Sequence, residues 1–242
     1  MVPITILQSA ADKRPDWVSR CMASVADWSE QKEYGYHCIG DALFDWVTPE
    51  LRTKLHDRTP ILADLARLRW IEAELAARDG LVVWIDADTL VIDPDWCVPD
   101  SEHTIFGEEC WVQPTAEGAW RAYQSPHNAF MGFTAASPVL GFLAYLSESI
   151  IERADAAHIA PQMVGPKLLK ALNNFAQFTL VPEAGAVSPE LLAEWVGGAG
   201  PAAACYEQAA RVPLALVNLC SSLTHREEAV QRVEQFLARH SA

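Results

Sequence analysis

Asp86 and Asp88, set either side of Ala87, are the pair best placed in this sequence to do chemistry. In an extended segment residues i and i+2 point the same way, so both carboxylates can converge on one ion. Directly before them Leu81 to Ile85 reads LVVWI, a continuous apolar run of the kind found where both faces of a strand are covered. In open α/β sheets ligands sit outside the carboxyl ends of the strands. An apolar strand that stops in two acids therefore puts hard oxygen ligands where Mg²⁺ or Mn²⁺ would bind, and such an ion would also accept phosphate oxygens.

The charge balance agrees with a cation in that role. With 18 Lys+Arg against 32 Asp+Glu the formal charge is −14, which opposes free binding to nucleic acid. Any phosphate ligand must be small and locally neutralised. The six cysteines include no CxxC pair and read as free thiols of a reducing compartment. No secretory leader opens the chain, and no apolar run approaches the ~18 residues of a membrane span. The expectation is a cytoplasmic protein.

The elements that must position the acids follow from pattern. At 242 residues the chain can bury about 70–75% of its unfolded surface in one core. Val2 to Leu7 predicts an N-terminal strand ending near Gln8, Pro15 opens a helix, and Tyr36 to Ile39 predicts a second strand. Thr59-Pro60 predicts the N-cap and first residue of a helix that stops at Gly80, with Ile61, Leu65, Leu68, Glu72 and Leu75 along one stripe. Further strands are predicted at Thr104 to Gly107, Ala129 to Phe133, Phe178 to Val181 and Leu214 to Leu219. Ser137-Pro138 and Gly165-Pro166 predict helix starts, Thr224 to Glu227 a capping box before the last helix, and Val196 to Ala204 a flexible, lid-like loop. The pattern is a single α/β domain.

The block Leu62 to Pro94, LADLARLRWIEAELAARDGLVVWIDADTLVIDP, resembles the central segment of the DXD-containing GT-A glycosyltransferases. That group includes outer-chain mannosyltransferases, capsular polysaccharide transferases and the glucosylating domain of clostridial toxins. In it a helix carrying Asp-x-x-Arg leads through a Gly-containing turn into a strand ending in Asp-x-Asp. The resemblance implies a Rossmann-like mixed sheet flanked by helices, residues 1–100 forming the nucleotide-sugar half and 101–242 the acceptor half with a C-terminal metal segment and helix.

Carried over position by position, Asp88 resembles the direct metal ligand, and Asp86 the acid that meets the donor ribose or sugar and the metal shell. Asp64 and Arg67 match the pair that holds the donor; read alone, they are an i,i+3 surface salt bridge. Gln8, Trp84 and Ala87 join them on the donor side. Asn128, in His127-Asn128-Ala129-Phe130, resembles the asparagine near the reacting carbon, and Lys167 follows the family's Gly-Pro. Asn218, Ser222 and His225 are the candidates for a further metal ligand.

The implied reaction moves a hexose from a nucleoside diphosphate sugar, UDP-sugar first, to the hydroxyl of a small-molecule or saccharide acceptor, using Mn²⁺ or Mg²⁺. No acid stands out as the acceptor-side base of an inverting enzyme, and the resembled group mostly retains configuration. Three alternatives stand beside it. A haloacid-dehalogenase-type phosphatase would want threonine where Leu90 stands, a nucleotidyltransferase would want glycine in the LQSAADKRPDW loop, and a non-catalytic nucleotide-sugar-binding module would keep the fold and lose transfer.

Overall fold

The computed structural model describes residues 2–101, 103–155, 158–160, 162–220 and 227–240. The chain opens with β1 (Ile4–Ser9), α1 (Asp16–Gln31) and β2 (Gly35–Ile39), then a 3-10 turn (Asp41–Trp46), α2 (Pro49–Lys54), α3 (Thr59–Ala77), β3 (Leu81–Ile85) and β4 (Thr89–Val91). There follow β5 (Thr104–Pro114), β6 (Trp120–Thr134), α4 (Leu140–Arg153), α5 (Pro166–Ala176), β7 (Thr179–Val181) and β8 (Ala184–Ala186). The chain continues through α6 (Pro189–Gly197), α7 (Pro201–Ala209), β9 (Leu216–Asn218) and α8 (Glu227–His240).

Six strands form one mixed sheet in the order β2-β1-β3-β6-β5-β7, and β4-β9-β8 form a second, small sheet. β1 lies parallel to both β2 and β3, β6 runs antiparallel to β3 and to β5, and β7 runs parallel to β5. The apolar run of β3 is explained by its neighbours. Val82 and Trp84 face a core with Leu65, Leu68 and Leu143 of α3 and α4, while Val83 and Ile85 face Val25 and Trp28 of α1. A third cluster joins α6, α7 and α8 to the small sheet through Leu191, Tyr206, Val217 and Phe236.

Several elements differ from the sequence pattern. Arg58, not Thr59, occupies the N-cap of α3, and Thr59 begins the helix. The strands predicted at 104–107 and 129–133 are the sheet-bound ends of a long ribbon, 11 residues in β5 and 15 in β6. β3 pairs with β6 only as far as Ile85 opposite Phe130, whereas β5 and β6 continue together from Gly107 opposite His127 to Pro114 opposite Trp120. Gly107 and Pro126 read as strand stops in the sequence, and a bulge at Phe106/Gly107 accommodates the change of register.

The segment 196–204 is not a lid. α6 runs through Gly197 and α7 starts at Pro201, with the Glu194 carboxylate accepting the Ala203 N–H at 2.8 Å, so a side chain caps the second helix. The Thr224 capping box lies outside the described residues; within α8, Val233, Phe236 and Leu237 are buried as the spacing predicts. No helix among the described residues is long and apolar enough to cross a membrane.

Gly80 decides how α3 feeds β3. Its φ is +113°, and a Cβ there would sit 2.2 Å from the Pro3 carbonyl oxygen, beside which the Leu81 N–H bonds the same oxygen at 2.9 Å. Gly80→Ala is expected to destabilise the protein by more than about 1 kcal/mol, the ordinary scale for an incompatible backbone. A lower urea midpoint with unchanged m-value checks it; an unchanged midpoint contradicts it.

Candidate active site

The two acids leave β3 in a turn rather than an extended strand. The Asp86 N–H bonds the Ala129 carbonyl at 2.8 Å and the Thr89 N–H returns to the Asp86 carbonyl at 3.1 Å, so the chain reverses from the large sheet into β4. The direction of each carboxylate is thus set by this turn and not by strand alternation. Asp88 is anchored from the small sheet: the Leu219 N–H donates to its carbonyl at 2.9 Å, and Asn218 Nδ2 donates to its Oδ1 at 2.6 Å.

Asp64 and Arg67 are not a surface pair. Each side chain is about 9% exposed, and Arg67 reaches across from α3 to bind both carboxylates. Its Nη2 lies 3.1 Å from Asp64 Oδ1; its Nη1 donates to Asp86 Oδ1 at 2.8 Å and to the Asn128 carbonyl at 3.0 Å. The Trp84 indole N–H donates to the same Asp86 oxygen at 2.6 Å, and its ring lies 5.0 Å from the guanidinium carbon in a cation–π arrangement. Asn128 Nδ2 donates to Asp64 Oδ1 at 2.7 Å. Gln8, fully buried at the end of β1, donates to the Asp86 carbonyl at 3.3 Å and is itself held by the Tyr36 hydroxyl at 2.8 Å.

Five of the residues singled out by sequence, Asp64, Arg67, Trp84, Asp86 and Asn128, thus form one hydrogen-bonded unit, with Gln8 behind it and Asp88 and Asn218 next to it. Gly165, at the N-cap of α5, belongs to the same unit. A Cβ there would fall 2.5 Å from Asp64 Oδ2 and 2.8 Å from Asn128 Nδ2, so the helix start can approach only without a side chain. The Ala87 side chain instead packs on the third cluster, and Lys167 is exposed in the first turn of α5. Ser222 and His225 lie outside the described residues. Asn218 offers Asp88 its amide nitrogen, while its Oδ1 accepts the Cys220 N–H at 3.0 Å.

Sequence reasoning missed what His127 and Tyr36 do. The His127 ring is buried, donates from Nε2 to the Ala184 carbonyl at 2.8 Å and accepts the Ala129 N–H on Nδ1 at 3.2 Å. Burial lowers its pKa against the opposing pull of Glu109, so the ring is a neutral strut. The signal was Gly107: its missing side chain makes the space, since a Cβ would stand 2.3 Å from His127 Nε2.

Electrostatically the unit is under tension. Burial pushes the Asp64 pKa up to about 6 although Arg67 pulls it down, with the Asp86 charge adding to the rise and the Asn128 bond opposing it. Asp86 is raised for the same leading reason, burial, with Arg67 opposing and Asp88 adding. An added cation would relieve both acids. The two carboxylates of the turn are the oxygen ligands that Mg²⁺ or Mn²⁺ would take, while the Asn218 amide oxygen is already occupied by the Cys220 N–H. Among the described residues there is no group of three or more His, Cys, Asp or Glu that could hold a metal ion by itself.

No family model matches the chain, and no curated protein matches it. Among solved structures it is similar to the crystal structure of a glycosyltransferase involved in the glycosylation of the major capsid of PBCV-1. The TM-score is 0.52 at 12% identity, over 96% of this chain and 98% of that one. The chain has a glycosyltransferase fold. In that fold the Asp64–Arg67–Asp86 unit stands at the carboxyl end of β3, where an α/β sheet receives its ligand.

Two outcomes test the unit itself. Arg67→Met leaves the buried Asp64 carboxylate and the partly exposed Asp86 carboxylate without their cation and is expected to cost about 3 kcal/mol of stability by denaturant unfolding. For Asp64 the folded pKa of about 6 lies above the unfolded value of about 3.9, so the native state binds the proton more tightly. The associated stability is complete below the unfolded pKa and is lost as pH rises through about 6. The stability of metal-free wild type relative to Asp64→Asn should therefore fall between pH 5 and 7 and flatten above; a flat difference throughout contradicts the shift.

Proposed function

We propose that this protein is a metal-dependent glycosyltransferase that moves a hexose from a nucleoside diphosphate sugar, UDP-sugar first, to an acceptor hydroxyl with retention. The observation that carries it is the buried Asp64–Arg67–Asp86–Asn128 unit lying beside Asp88 at a strand end of a glycosyltransferase fold. The similarity to a glycosyltransferase that acts in capsid glycosylation supports the same reaction class.

On this reading the first hundred residues supply the donor side and the remainder the acceptor side. Asp88 and Asp86 hold Mn²⁺ or Mg²⁺, with Asn218, Ser222 and His225 as the further candidates near it. Such an ion supplies Lewis-acid stabilisation to the charge left on the departing diphosphate. Asp64 and Asn128 accept and donate hydrogen bonds to the donor sugar's hydroxyls, and Arg67 fixes both in orientation. The backbone at Ala87 lines the nucleotide side, Gln8 and Trp84 hold Asp86 there from behind, and Lys167 reaches toward phosphate from the start of α5. In the transfer the bond from the anomeric carbon to the phosphate oxygen breaks and a bond to the acceptor oxygen forms. The acceptor's proton passes to the phosphate oxygen that leaves.

Incubation of the purified protein with UDP- and GDP-sugars and Mn²⁺ tests this. Slow release of nucleoside diphosphate is expected, and Asp88→Asn should reduce it at least 100-fold while the thermal unfolding transition is kept. Pyrophosphate release would mark a nucleotidyltransferase instead, and binding without turnover a non-catalytic module. Undiminished activity in EDTA contradicts the metal's role.

A further inference from the structure

Past the Ile85–Phe130 pair the β5–β6 ribbon leaves the large sheet and runs on from Gly107 opposite His127 to Pro114 opposite Trp120, and its two faces differ. One face bears Cys110 and Val112, which are buried in the third cluster against α6, α7 and the small sheet. On the other face register places Glu109 opposite Ser125 and Trp111 opposite Tyr123. The Ser125 hydroxyl donates to Glu109 Oε1 at 2.8 Å. Trp111 and Tyr123 are half-buried and belong to none of the three clusters, and among the described residues the Trp111 ring stacks on no other ring. Arg121 lies over Tyr123, its guanidinium carbon 5.3 Å from the ring centroid.

This face adjoins the candidate site. His127, whose ring covers Gly107 two residues before Glu109, accepts the Ala129 N–H at 3.2 Å, and the Ala129 carbonyl in turn accepts the Asp86 N–H at 2.8 Å.

We propose that the Glu109–Trp111–Tyr123–Ser125 face is the acceptor subsite and that its ligand is a saccharide. The inference rests on the glycosyl-transfer reading and names the acceptor class for the same site. A pyranose presents one flat face of C–H groups, which an indole or phenol ring removes from water, and a rim of hydroxyls. A carboxylate beside such rings accepts hydroxyl hydrogens in charge-assisted bonds. A core strand has no use for a half-exposed cross-strand Trp–Tyr pair flanked by an acid; a sugar subsite beside the acids of the turn does. Glu109 here holds the acceptor's hydroxyls, while the leaving phosphate takes the proton.

Saturation-transfer NMR on the full chain tests this with the methyl glycosides of glucose, galactose, mannose and N-acetylglucosamine, and with lactose, maltose and cellobiose. At least one is expected to bind, with saturation strongest on the C–H groups of one ring face. Trp111→Ala should weaken that binding at least 10-fold and Trp111→Phe should largely restore it. Glu109→Gln should weaken it about 10-fold and raise the acceptor KM more than it lowers kcat. Phe175→Ala, an exposed ring on α5, serves as control and should change nothing. Metal-dependent thermal shifts with UDP establish that each variant is folded.

Binding unaffected by Trp111→Ala, or no binding by any probe, overturns the proposal, as does a kcat loss in Glu109→Gln at unchanged acceptor KM. Nucleoside diphosphate release without saccharide binding would leave the transferase reading standing and remove this one. Trp111-dependent saccharide binding without any donor turnover would do the reverse.

Discussion

A buried guanidinium shared between a buried and a partly buried carboxylate is the constraint on which the rest of this site depends. Arg67 comes from α3, Asp64 from one turn earlier on the same helix, Asp86 from the end of β3, and the carbonyl of Asn128 from β6. Breaking such a pair leaves an unpaired charge out of water, which costs more than the pair itself contributes. The helix, the central strand and the antiparallel strand therefore have one acceptable mutual placement near this point. Trp84 tightens it, since one residue both donates to Asp86 and underlies Arg67.

The second constraint is that β3 has to end. Its five residues are apolar on both faces, and the chain must leave the core at Ile85 because the next residues are charged. The turn at Asp86–Thr89 converts that exit into a crossing from one sheet to another, and the pairing of β4 with β9 brings Asn218 to Asp88. The site thus lies at a seam: Asp86 belongs to the large sheet's hydrogen bonding through Ala129, Asp88 to the small sheet's through Leu219. Changes in how the two sheets sit would alter the separation of the acids directly.

Much of this is local and so was legible in the sequence. β3 shows as an apolar run, α3 as a Pro-started helix stopped before a glycine, and the acids as the residues that follow. What was not legible is burial. Asp64 and Arg67 at i,i+3 look the same whether the helix face meets water or the sheet, and α3 is covered so widely that its apolar residues mark no single stripe. The ribbon was hidden for a related reason: its outer half is half-exposed, mixes Glu, Gln, Arg and aromatics, and contains Gly107 and Pro126, so no alternation survives to reveal it. Trp111, Tyr123 and Glu109 only become a group once register puts them on one face.

The overall charge of −14 acquires a local meaning from this geometry. Around the turn, Asp64 and Asp86 share a single guanidinium, and burial holds both above their ordinary pKa values despite it. Adding another arginine would relieve the acids but would also bind them permanently, closing the oxygens that a ligand needs. On the proposed function, a divalent ion carried in with a diphosphate would balance the same charges reversibly and leave with it. A site short of positive charge is thus suited to a substrate that arrives with its own cation, and an acidic protein can use such a site without attracting nucleic acid.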